Sequence, residues 1–509
     1  MQDKGGNNMK NILEYLETAA GNDPQKTGFT DAERSATFFD VMSNAKKIAG
    51  ALKAYAPVGS VVIMMDRSIK CIEAMFSAVY AGGFYTVIDV HSPASRISAI
   101  LKTLSPTCVI ADLSCQELAE HVVSGETILL YEDAVRHEID HRFIADVRRN
   151  MIDTDPLYVL FTSGSSGTPK GAVLSHRSVL SYIEWVSEAF AFDSSTSFGS
   201  QTPLYFSMSV TDLYSCIKCG GTYHMIPKSC FTFPAKLMDF LNQRTINTIY
   251  WVPSALAIAS NWDLFAWKRP EYLKKILFAG EVMPVKHLNY WQKYLPDCTY
   301  ANLFGPTETT DICTFYVLDR PFKNDERLPI GKACNNCDTF LLTADNRRAE
   351  TGEEGELVVR GSFLSDGYYN DPEKTASAFS QNPLNKAYPE RIYRTGDLAK
   401  LNEKGEFIYI ARKDFQIKRM GYRIEPEEIE AAVNAIDGVI SSAALYDAST
   451  QSLLLIYDGT VEDTALIRKG IQEKLPSYMY PDKIIRLEHI PRNSNGKIDR
   501  AKLKNDYTA

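Results

Sequence analysis

The chain lacks the features that define several large classes of protein. Its 509 residues contain no apolar run long enough to cross a membrane, and the polar residues 1–4 do not resemble a signal peptide. A basic excess is missing too, because 55 Lys and Arg are outnumbered by 63 Asp and Glu, for a net charge of −8. This charge excludes a general binder of nucleic acids or membrane surfaces.

The ten cysteines follow neither a secretory signal nor a recognisable metal-binding spacing. Two Cys-x-x-Cys pairs, Cys216/Cys219 and Cys334/Cys337, are too far apart in the chain to form a zinc ribbon. We therefore expect reduced, structural thiols in a cytoplasmic protein.

Strand-like and helix-like segments alternate through the first 300 residues. Apolar, β-branched runs predict strands at residues 61–65, 85–89, 108–111, 157–161, 246–252 and 276–278. Amphipathic segments predict helices at residues 68–81, 95–104 and 178–190. Alternation at this spacing predicts an α/β fold with doubly wound, mainly parallel sheets.

The pattern changes from about residue 325 onwards. Short strands between turns, at residues 355–361 and 405–410, predict a small β-rich subdomain. A helix at 425–434 with strands at 442–446 and 452–457 predicts a small α+β domain at the C-terminal end. A chain of this length divides into domains, which we place at residues 1–412 and 413–509.

The most informative segment is residues 160–171, LFTSGSSGTPKG. An apolar strand leads into a loop of glycines and hydroxyls that ends in Lys170. Gly164 and Gly167 allow backbone amides to turn toward an anion, and the hydroxyls and Lys170 add donors and charge. The loop is a predicted phosphate site but not a Walker A motif, because Pro169 precedes Lys170 and Gly171 follows it.

Four further segments carry candidate chemistry. Residues 302–310, NLFGPTETT, place Glu308 after a Gly-Pro turn, and a carboxylate facing a phosphate loop suits Mg²⁺. Residues 393–398, YRTGDL, end a strand with Asp397, which suits ribose hydroxyls. Residues 411–430 join a basic strand, a glycine and a helix start, and residues 491–500 place Lys497 on a glycine-containing loop. Singly, each segment is more typical of a turn or a solvated charge.

In this order, the five segments resemble the motifs of the adenylate-forming superfamily, specifically the adenylation domains of nonribosomal peptide synthetases and the D-alanine–carrier protein ligases. The resemblance runs from Leu13 to Leu503. It implies that a carboxylate attacks the α-phosphate of ATP, giving an acyl-adenylate and pyrophosphate. A phosphopantetheine thiol then attacks the adenylate and releases AMP. The implied cofactors are ATP and Mg²⁺, and the implied substrate is an amino acid or related carboxylic acid.

The resemblance also assigns roles to individual residues. It makes Lys497, Glu308 and Thr162 catalytic, with Glu308 as the metal ligand and Lys497 between the substrate carboxylate and the α-phosphate. Asp414 corresponds to the hinge about which the C-terminal domain rotates, and Gly421 to the tunnel for the thiol. The implied nucleotide-binding residues are Thr162, Ser163, Gly164, Ser165, Ser166, Gly167, Thr168, Lys170, Asn302, Phe304, Gly305, Thr307, Asp397, Arg412 and Lys418.

The implied substrate pocket departs from the family pattern at one position. Members that activate α-amino acids carry an aspartate, which holds the substrate ammonium, where this chain has Ser207. A hydroxyl cannot neutralise an ammonium, and leaving one buried and unpaired costs several kcal/mol (roughly 3–5). The implied lining comprises Phe206, Ser207, Met208, Thr211, Tyr250, Leu277, Ala279, Leu303, Asp311 and Ile312.

Two interpretations of Ser207 remain open. Either the substrate has no α-ammonium, or another carboxylate binds the amine. Asp311 is the acid in the implied lining and the candidate for that role; the alternative is that it caps the following segment in solvent. Asp212 is a weaker rival, since it lies further along the chain and is expected to face its own helix.

The expected acceptor is a phosphopantetheinylated carrier protein supplied in trans, because few residues follow Lys497. An acyl-CoA or aryl-CoA ligase that uses free CoA is one alternative, and a D-alanine–carrier protein ligase is another. A catalytically idle relative that acts as a binding or regulatory subunit is the third. None of these expectations includes a nucleic acid or a membrane as partner.

Overall fold

The protein is described here by a computed structural model, which covers residues 9–125, 127–164, 169–447, 449–492 and 498–508, with only the backbone described at Ala501. Within these ranges, no helix is both long and apolar enough to cross a membrane.

The described residues up to 164 contain seven helices and seven strands. The helices are α1 (Leu13–Asn22), α2 (Phe38–Leu52), α3 (Ile69–Tyr80), α4 (Ala94–Leu104), α5 (Gln116–Val122), α6 (Tyr131–Ala134) and α7 (His141–Asn150). The strands are β1 (Thr27–Thr30), β2 (Ser35–Thr37), β3 (Ser60–Met64), β4 (Phe84–Val87), β5 (Cys108–Ala111), β6 (Thr127–Leu130) and β7 (Pro156–Thr162). A 3₁₀ turn covers Lys53–Tyr55.

Residues 169–317 contain seven further strands and seven further helices. The strands are β8 (Lys170–Ser175), β9 (Ser197–Ser200), β10 (Thr222–Met225), β11 (Thr248–Trp251), β12 (Lys275–Phe278), β13 (Thr299–Phe304) and β14 (Thr314–Val317). The helices are α8 (His176–Ala189), α9 (Met208–Cys219), α10 (Lys228–Thr232), α11 (Pro234–Gln243), α12 (Pro253–Asn261), α13 (Leu264–Trp267) and α14 (Val285–Tyr294). A second 3₁₀ turn covers Thr307–Thr309.

The remaining residues form two smaller units. The first contains β15 (Lys332–Ala333), β16 (Cys337–Leu342), β17 (Glu354–Gly361), β18 (Gly367–Tyr368), α15 (Pro372–Ala378), β19 (Phe379–Gln381), β20 (Arg391–Leu401) and β21 (Phe407–Arg412). The second contains β22 (Ile417–Arg419), β23 (Tyr422–Ile424), α16 (Pro426–Asn434), β24 (Val439–Asp447), β25 (Ser452–Gly459), α17 (Thr464–Gln472), a 3₁₀ turn (Ser477–Met479), β26 (Lys483–Leu487) and α18 (Arg500–Tyr507).

Two large sheets dominate the fold. One has the strand order β18-β8-β7-β4-β3-β5-β6, and the other has the order β15-β14-β13-β12-β11-β9-β10-β1-β2. Most neighbouring pairs inside both sheets are parallel, and antiparallel pairs lie toward the edges. Helices α2, α3, α8 and α9 contribute apolar side chains to one buried core with both sheets. The predicted doubly wound α/β arrangement is confirmed.

The predicted β-rich subdomain is a five-stranded sheet with the order β16-β17-β20-β19, in which β21 also pairs with β20. The α+β unit that follows contains the hairpin β22-β23 and the sheet β24-β25-β26, with a separate apolar core. The division after residue 412 stays a prediction. It falls where β21 ends, and Ile417 already packs in the separate core.

The cysteines are unpaired in the described part of the chain, where no cluster of potential metal ligands occurs either. In the two Cys-x-x-Cys pairs, burial raises the pKa of each thiol, to about 11 for Cys219. Such protonated thiols are poor nucleophiles and poor metal ligands.

Candidate active site

A cavity of about 500 Å³ opens where the two large sheets, the β-rich subdomain and the C-terminal unit meet. The carboxyl ends of β11, β12 and β13 lead into its wall, as expected for ligand sites in parallel sheets. Predicted site residues that line it are Thr162, Phe206, Ser207, Met208, Ala279, Gly305, Thr307, Asp311, Ile312, Asp397, Arg412, Lys418 and Gly421.

Two nucleotide-binding candidates have buried polar atoms without a partner among the described residues. They are the hydroxyl oxygen of Thr162, at the end of β7, and Oδ1 of Asp397, in the middle of β20. Buried polar atoms are nearly always hydrogen-bonded in native proteins, and those that are not call for an explanation. Both residues line the cavity, so a ligand rich in hydroxyl and phosphate oxygens would satisfy them.

Asp397 also belongs to a charged group at the end of β21. The Arg412 guanidinium lies 3.1 Å from Asp397 Oδ2 and donates to both oxygens of Asp414, at 2.8 and 2.6 Å. The predicted ribose ligand and the predicted hinge therefore share one arginine. Lys418 lies close by, with its amino group 4.7 Å from the centre of the Phe304 ring, and burial lowers its pKa.

Glu308 is completely buried on the turn Thr307–Thr309. Arg423 donates to both its oxygens at 3.1 and 3.0 Å, Tyr368 donates at 2.7 Å, and Lys170 Nζ lies 3.3 Å away. Burial alone would raise the pKa of Glu308, but the positive charges of Arg423 and Lys170 outweigh it and hold the pKa well below its usual range. The carboxylate is ionised at any physiological pH.

Arg423 comes from the C-terminal unit, on β23. Its backbone carbonyl accepts a 2.6 Å hydrogen bond from the hydroxyl of Ser163, in the predicted phosphate loop. The hairpin therefore joins the predicted phosphate loop and the predicted metal ligand at once. Sequence reasoning missed this residue, although its place two residues after Gly421 was a usable signal.

Gly421 lies at the tip of the same hairpin, in a left-handed conformation with φ +79°. A Cβ there would stand 2.6 Å from Val252 Cγ1, so the close approach to the N-terminal domain requires glycine. Its N–H donates to Glu281 Oε1 at 3.2 Å. This pose places the Gly421 strand at the cavity, as the resemblance implies for one of two domain poses.

Asp311 is 2% exposed and lines the cavity, so the interpretation that it caps a segment in solvent is wrong. Its Oδ2 accepts hydrogen bonds from Thr211 at 2.6 Å and from Tyr182 and Tyr250 at 3.1 Å each. Burial raises the pKa of Asp311 to about 6, although the hydroxyls of Thr211, Tyr250 and Tyr182 stabilise its charge.

The backbone around Asp311 is tightly constrained. Thr310 precedes it with φ 69°, a strained value for a β-branched residue, and its hydroxyl donates to Phe363 O at 2.8 Å. A Cβ on Gly305 would lie 2.3 Å from the Asp311 carbonyl oxygen. The backbone at Gly305 therefore passes so close to the backbone of Asp311 that only glycine fits. This crossing of the two segments sets the position of Asp311.

The model of one family, AMP-binding enzyme, matches residues 16–369 of the chain. The chain belongs to this family. It is 30% identical to the L-proline–[L-prolyl-carrier protein] ligase of Pseudomonas fluorescens, over 97% of this chain and 99% of that protein. It is 28% identical to the D-alanine–D-alanyl carrier protein ligase of Bacillus licheniformis, over 98% of this chain and 99% of that protein.

Solved structures of adenylation proteins share the fold of this AMP-binding enzyme. The Vibrio cholerae adenylation domain AlmE, in complex with glycyl-adenosine-5'-phosphate, superposes with a TM-score of 0.84 at 20% identity, over 97% of each chain. An artificially fused adenylation–PCP protein from Klebsiella oxytoca gives a TM-score of 0.81 at 17% identity, over 94% of each chain. The family and fold predicted from the sequence are confirmed.

Several predicted site residues do not lie on the cavity wall of the AMP-binding enzyme. Leu277 and Leu303 are buried inside β12 and β13, and Thr211 and Tyr250 lie behind the wall in contact with Asp311. Asn302 donates its side-chain amide to Pro329 O at 2.8 Å. The residues that line the cavity do not include Ser163, Gly164, Lys170, Phe304, Glu308 and Asp414. Ser165, Ser166, Gly167, Thr168 and Lys497 lie outside the described residues.

Asp212, the weaker rival to Asp311, is 1% exposed on α9 and does not line the cavity as described. Burial raises the pKa of Asp212 well above its usual value. Among charged groups, Asp311 has the larger effect on the pKa of Asp212 and raises it, whereas Arg67, which donates to the backbone carbonyls of Ser200 and Thr202, lowers it.

Buried contacts hold the two domains together in this pose. The Arg96 guanidinium on α4 donates to the Glu428 carboxylate on α16, and both side chains are almost fully buried. The Tyr422 ring meets the Phe206 ring edge-on and stacks on the Tyr478 ring, with centroid distances of 4.8 and 3.8 Å. The substrate side of the cavity is therefore closed by the C-terminal unit.

Proposed function

We propose that this enzyme activates an amino acid or a related carboxylic acid with ATP, as an acyl-adenylate, and transfers the acyl group to the phosphopantetheine thiol of a carrier protein. The observation that carries this is the pair of unpartnered, buried oxygens on Thr162 and Asp397 in the same cavity as Ser207 and Gly421. One cavity thus offers a nucleotide end, an acid end and an approach for a thiol. The relatives named as carrier-protein ligases favour the same reaction.

The nucleotide is proposed to bind with its ribose at Asp397 and its phosphates between Thr162, Lys170 and the undescribed residues 165–168. The Asp397 carboxylate accepts the ribose hydroxyls through Oδ1, since Oδ2 is held by Arg412. Lys418, buried beside the Phe304 ring, adds positive charge at this end of the cavity. These roles of single residues are proposals.

Glu308 is proposed to hold Mg²⁺, which bound there would neutralise phosphate charge. The donor set fits only after a rearrangement, because Arg423 and Lys170 already neutralise this carboxylate in the present pose. Arg423 belongs to the C-terminal unit, so rotation of residues 413–509 about Asp414 would remove it. Replacement of Arg423 by Mg²⁺ at Glu308 would link the orientation of the C-terminal domain to the half-reaction that the enzyme performs.

The two half-reactions are proposed to use different residues of the C-terminal domain. In the adenylating pose, Lys497 places its ammonium between the substrate carboxylate and the α-phosphate, where negative charge accumulates. In the pose described here, Gly421 lies on the cavity wall, along which the pantetheine arm is proposed to enter. We place the reaction in the cytoplasm, where ten unpaired thiols are stable.

The test is ATP–pyrophosphate exchange with α-, β- and γ-amino acids, aryl acids and short fatty acids, followed by transfer to a holo carrier protein or to free CoA. We expect exchange that depends on an amine-bearing acid, and a mass increase of the carrier. Transfer to CoA but not to the carrier would replace this function with that of a CoA ligase. If no acid supports pyrophosphate exchange, the alternative of a catalytically idle binding protein would stand instead.

A further inference from the structure

We propose that Asp311 binds the ammonium group of the substrate, and that the substrate is an amino acid whose amine lies beyond the α-carbon, as in β- and γ-amino acids. This substrate class presupposes the adenylating activity proposed above. Three features of Asp311 lead to it: its missing counter-charge, its built hydrogen-bond environment and its depth behind Ser207.

The first feature is an uncompensated buried charge. Two acidic residues, Asp311 and Asp397, line the cavity in the part of the chain that the structure describes, and Asp397 is paired with Arg412. Asp311 has no basic side chain within the 4 Å limit of an ion pair among the described residues, only hydroxyls. Hydroxyl dipoles stabilise a carboxylate without neutralising it, and an unpaired buried charge is unfavourable. An ammonium ion from the cavity would complete the pair.

The second feature is the environment of the carboxylate. The hydroxyls of Thr211, Tyr182 and Tyr250 converge on one oxygen, Oδ2, at 2.6 to 3.1 Å. They fix the rotamer of a side chain whose backbone is already held by the Thr310 turn. A carboxylate fixed by both its backbone and its donors is pre-organised, so little ordering is required when a cation binds.

The third feature is depth. Ser207 lies at the start of α9 and Thr211 one turn later, on the same face of the helix. Ser207 lines the cavity, whereas Thr211 is fully buried and contacts Asp311. Thr211 lies one helical turn, about 5.4 Å, further along α9 than position 207, so a carboxylate bound to Thr211 is expected to lie deeper in the pocket than the family's aspartate at position 207. An amine that lies one or two methylenes beyond the α-carbon is placed to reach this deeper charge.

The substrate test uses isomers with identical atoms. ATP–pyrophosphate exchange is measured with 2-, 3- and 4-aminobutyrate, and with butyrate as the amine-free control. We expect kcat/KM for the 3- or the 4-isomer to exceed that for 2-aminobutyrate and butyrate by about tenfold or more, since a full ion pair forms only with the deeper amine. A preference for 2-aminobutyrate, or equal use of butyrate, would overturn the proposal.

The residue test compares two isosteric changes on neighbouring buried acids. Asp311→Asn should lower kcat/KM for the preferred isomer at least about 30-fold, because it removes one partner of a buried charge pair. Asp212→Asn is the matched control, because Asp212 is equally buried, on α9, but is not among the described residues that line the cavity. Thermal unfolding with and without ATP checks that both variants fold and bind nucleotide.

A binding readout separates recognition of the amine from catalysis. Calorimetry would compare a sulfamoyl-adenosine analogue of the 3-aminobutyryl adenylate with its amine-free counterpart. Wild-type enzyme and Asp212→Asn should prefer the amine, and Asp311→Asn should bind both equally. The double variant Ser207→Asp/Asp311→Asn should shift the preference to 2-aminobutyrate.

The results distinguish this proposal from the proposed function. If wild-type enzyme exchanges pyrophosphate with none of the acids, the adenylating activity is wrong. If it exchanges strongly and Asp311→Asn keeps the isomer ratio of the wild type, the activity stands and Asp311 is not the amine partner.

Discussion

Single residues fix the geometry of the acid end of the cavity. Asp311 owes its position to two neighbours that a sequence pattern does not identify as important: Gly305, which lets the chain cross itself, and Thr310, which adopts a strained φ. Strain of this kind persists only where the surrounding structure enforces it. The crossing is therefore a sensitive point of the fold.

Gly305→Ala should be destabilising, by about 1–3 kcal/mol, because the new Cβ would meet backbone atoms that cannot move aside. Gly21→Ala is the control, since nothing lies within 4 Å of a Cβ on this exposed residue of α1. It should stabilise the protein by about 0.4–1 kcal/mol. Thermal unfolding measures both effects. Equal changes in unfolding temperature for the two variants would show that the backbone at Gly305 is not closely packed against the backbone of Asp311.

The charge of Asp311 should cost stability when the site is empty. Because burial raises the folded-state pKa from 3.8 to about 6, the native protein binds a proton more tightly than the unfolded chain. Asp311 therefore contributes to the free energy of unfolding below about pH 4. This contribution, roughly 3 kcal/mol in all, is lost as the pH rises through 6.

We expect unliganded Asp311→Asn to unfold at a higher temperature than the wild type at pH 7.5, with the difference shrinking below pH 6. Scanning calorimetry at several pH values measures this. A variant less stable than the wild type at pH 7.5 would mean that the charge is compensated in the free enzyme.

At the scale of elements, the helices and strands that were predicted from apolar and amphipathic segments match described elements within a few residues. The segment predicted at 108–111 is β5, and the helix predicted at 425–434 begins one residue later as α16. Local pattern suffices for such elements because each buries one face or a whole strand. The resemblance to the adenylate-forming superfamily, and not local pattern, assigned Ser207 and Asp311 to one pocket.

Sequence reasoning could not provide the contact between Arg423 and Glu308. The two residues are 115 positions apart, and they meet only because the β22-β23 hairpin packs on the N-terminal domain in this pose. A pairing that depends on domain arrangement leaves no periodic signal in a sequence. A sequence likewise cannot show that oxygens of Thr162 and Asp397 are buried without a partner among the described residues, because this depends on how the cavity is folded.

The hairpin and the Lys497 loop should affect opposite half-reactions. Arg423→Ala removes the cation that holds β23 against Glu308, so transfer to the carrier should slow by about tenfold or more. Lys497→Ala should lower the rate of pyrophosphate exchange by about 10²–10³-fold. It should leave transfer from a supplied adenylate largely intact. Single-turnover assays of each step measure both effects.

Arg486→Ala is the control for these two variants, because Arg486 lies on β26 beside the exposed Glu462. Neither half-reaction should change. Equal loss of both steps in Lys497→Ala, with the fold intact, would show that this lysine does not act on the adenylate step alone.

At the scale of the whole molecule, the buried Arg96–Glu428 pair links residues 332 positions apart across the two domains. Breaking a buried pair by removing one partner costs about 3–5 kcal/mol, whereas an apolar replacement of both is often neutral. Arg96→Met should therefore favour separation of the domains and slow transfer, and Arg96→Met/Glu428→Met should restore it.

Small-angle scattering and transfer kinetics measure this cycle. Arg34→Met, which removes a partner of Glu73 within the N-terminal domain, controls for general loss of stability. If single and double variants slow transfer equally, the pair does not hold the domains in the transfer pose.

The central claim is that one cavity joins an amine-bearing acid to AMP. Its most direct test is mass spectrometry of the small molecules released from the enzyme after incubation with ATP, Mg²⁺ and the aminobutyrate isomers, without an acceptor thiol. We predict an aminoacyl-AMP, in an amount close to that of the enzyme, from the 3- or 4-isomer, formed at least about tenfold faster than any adenylate of butyrate. Unreacted ATP with every acid, or ADP as the product, would contradict this account.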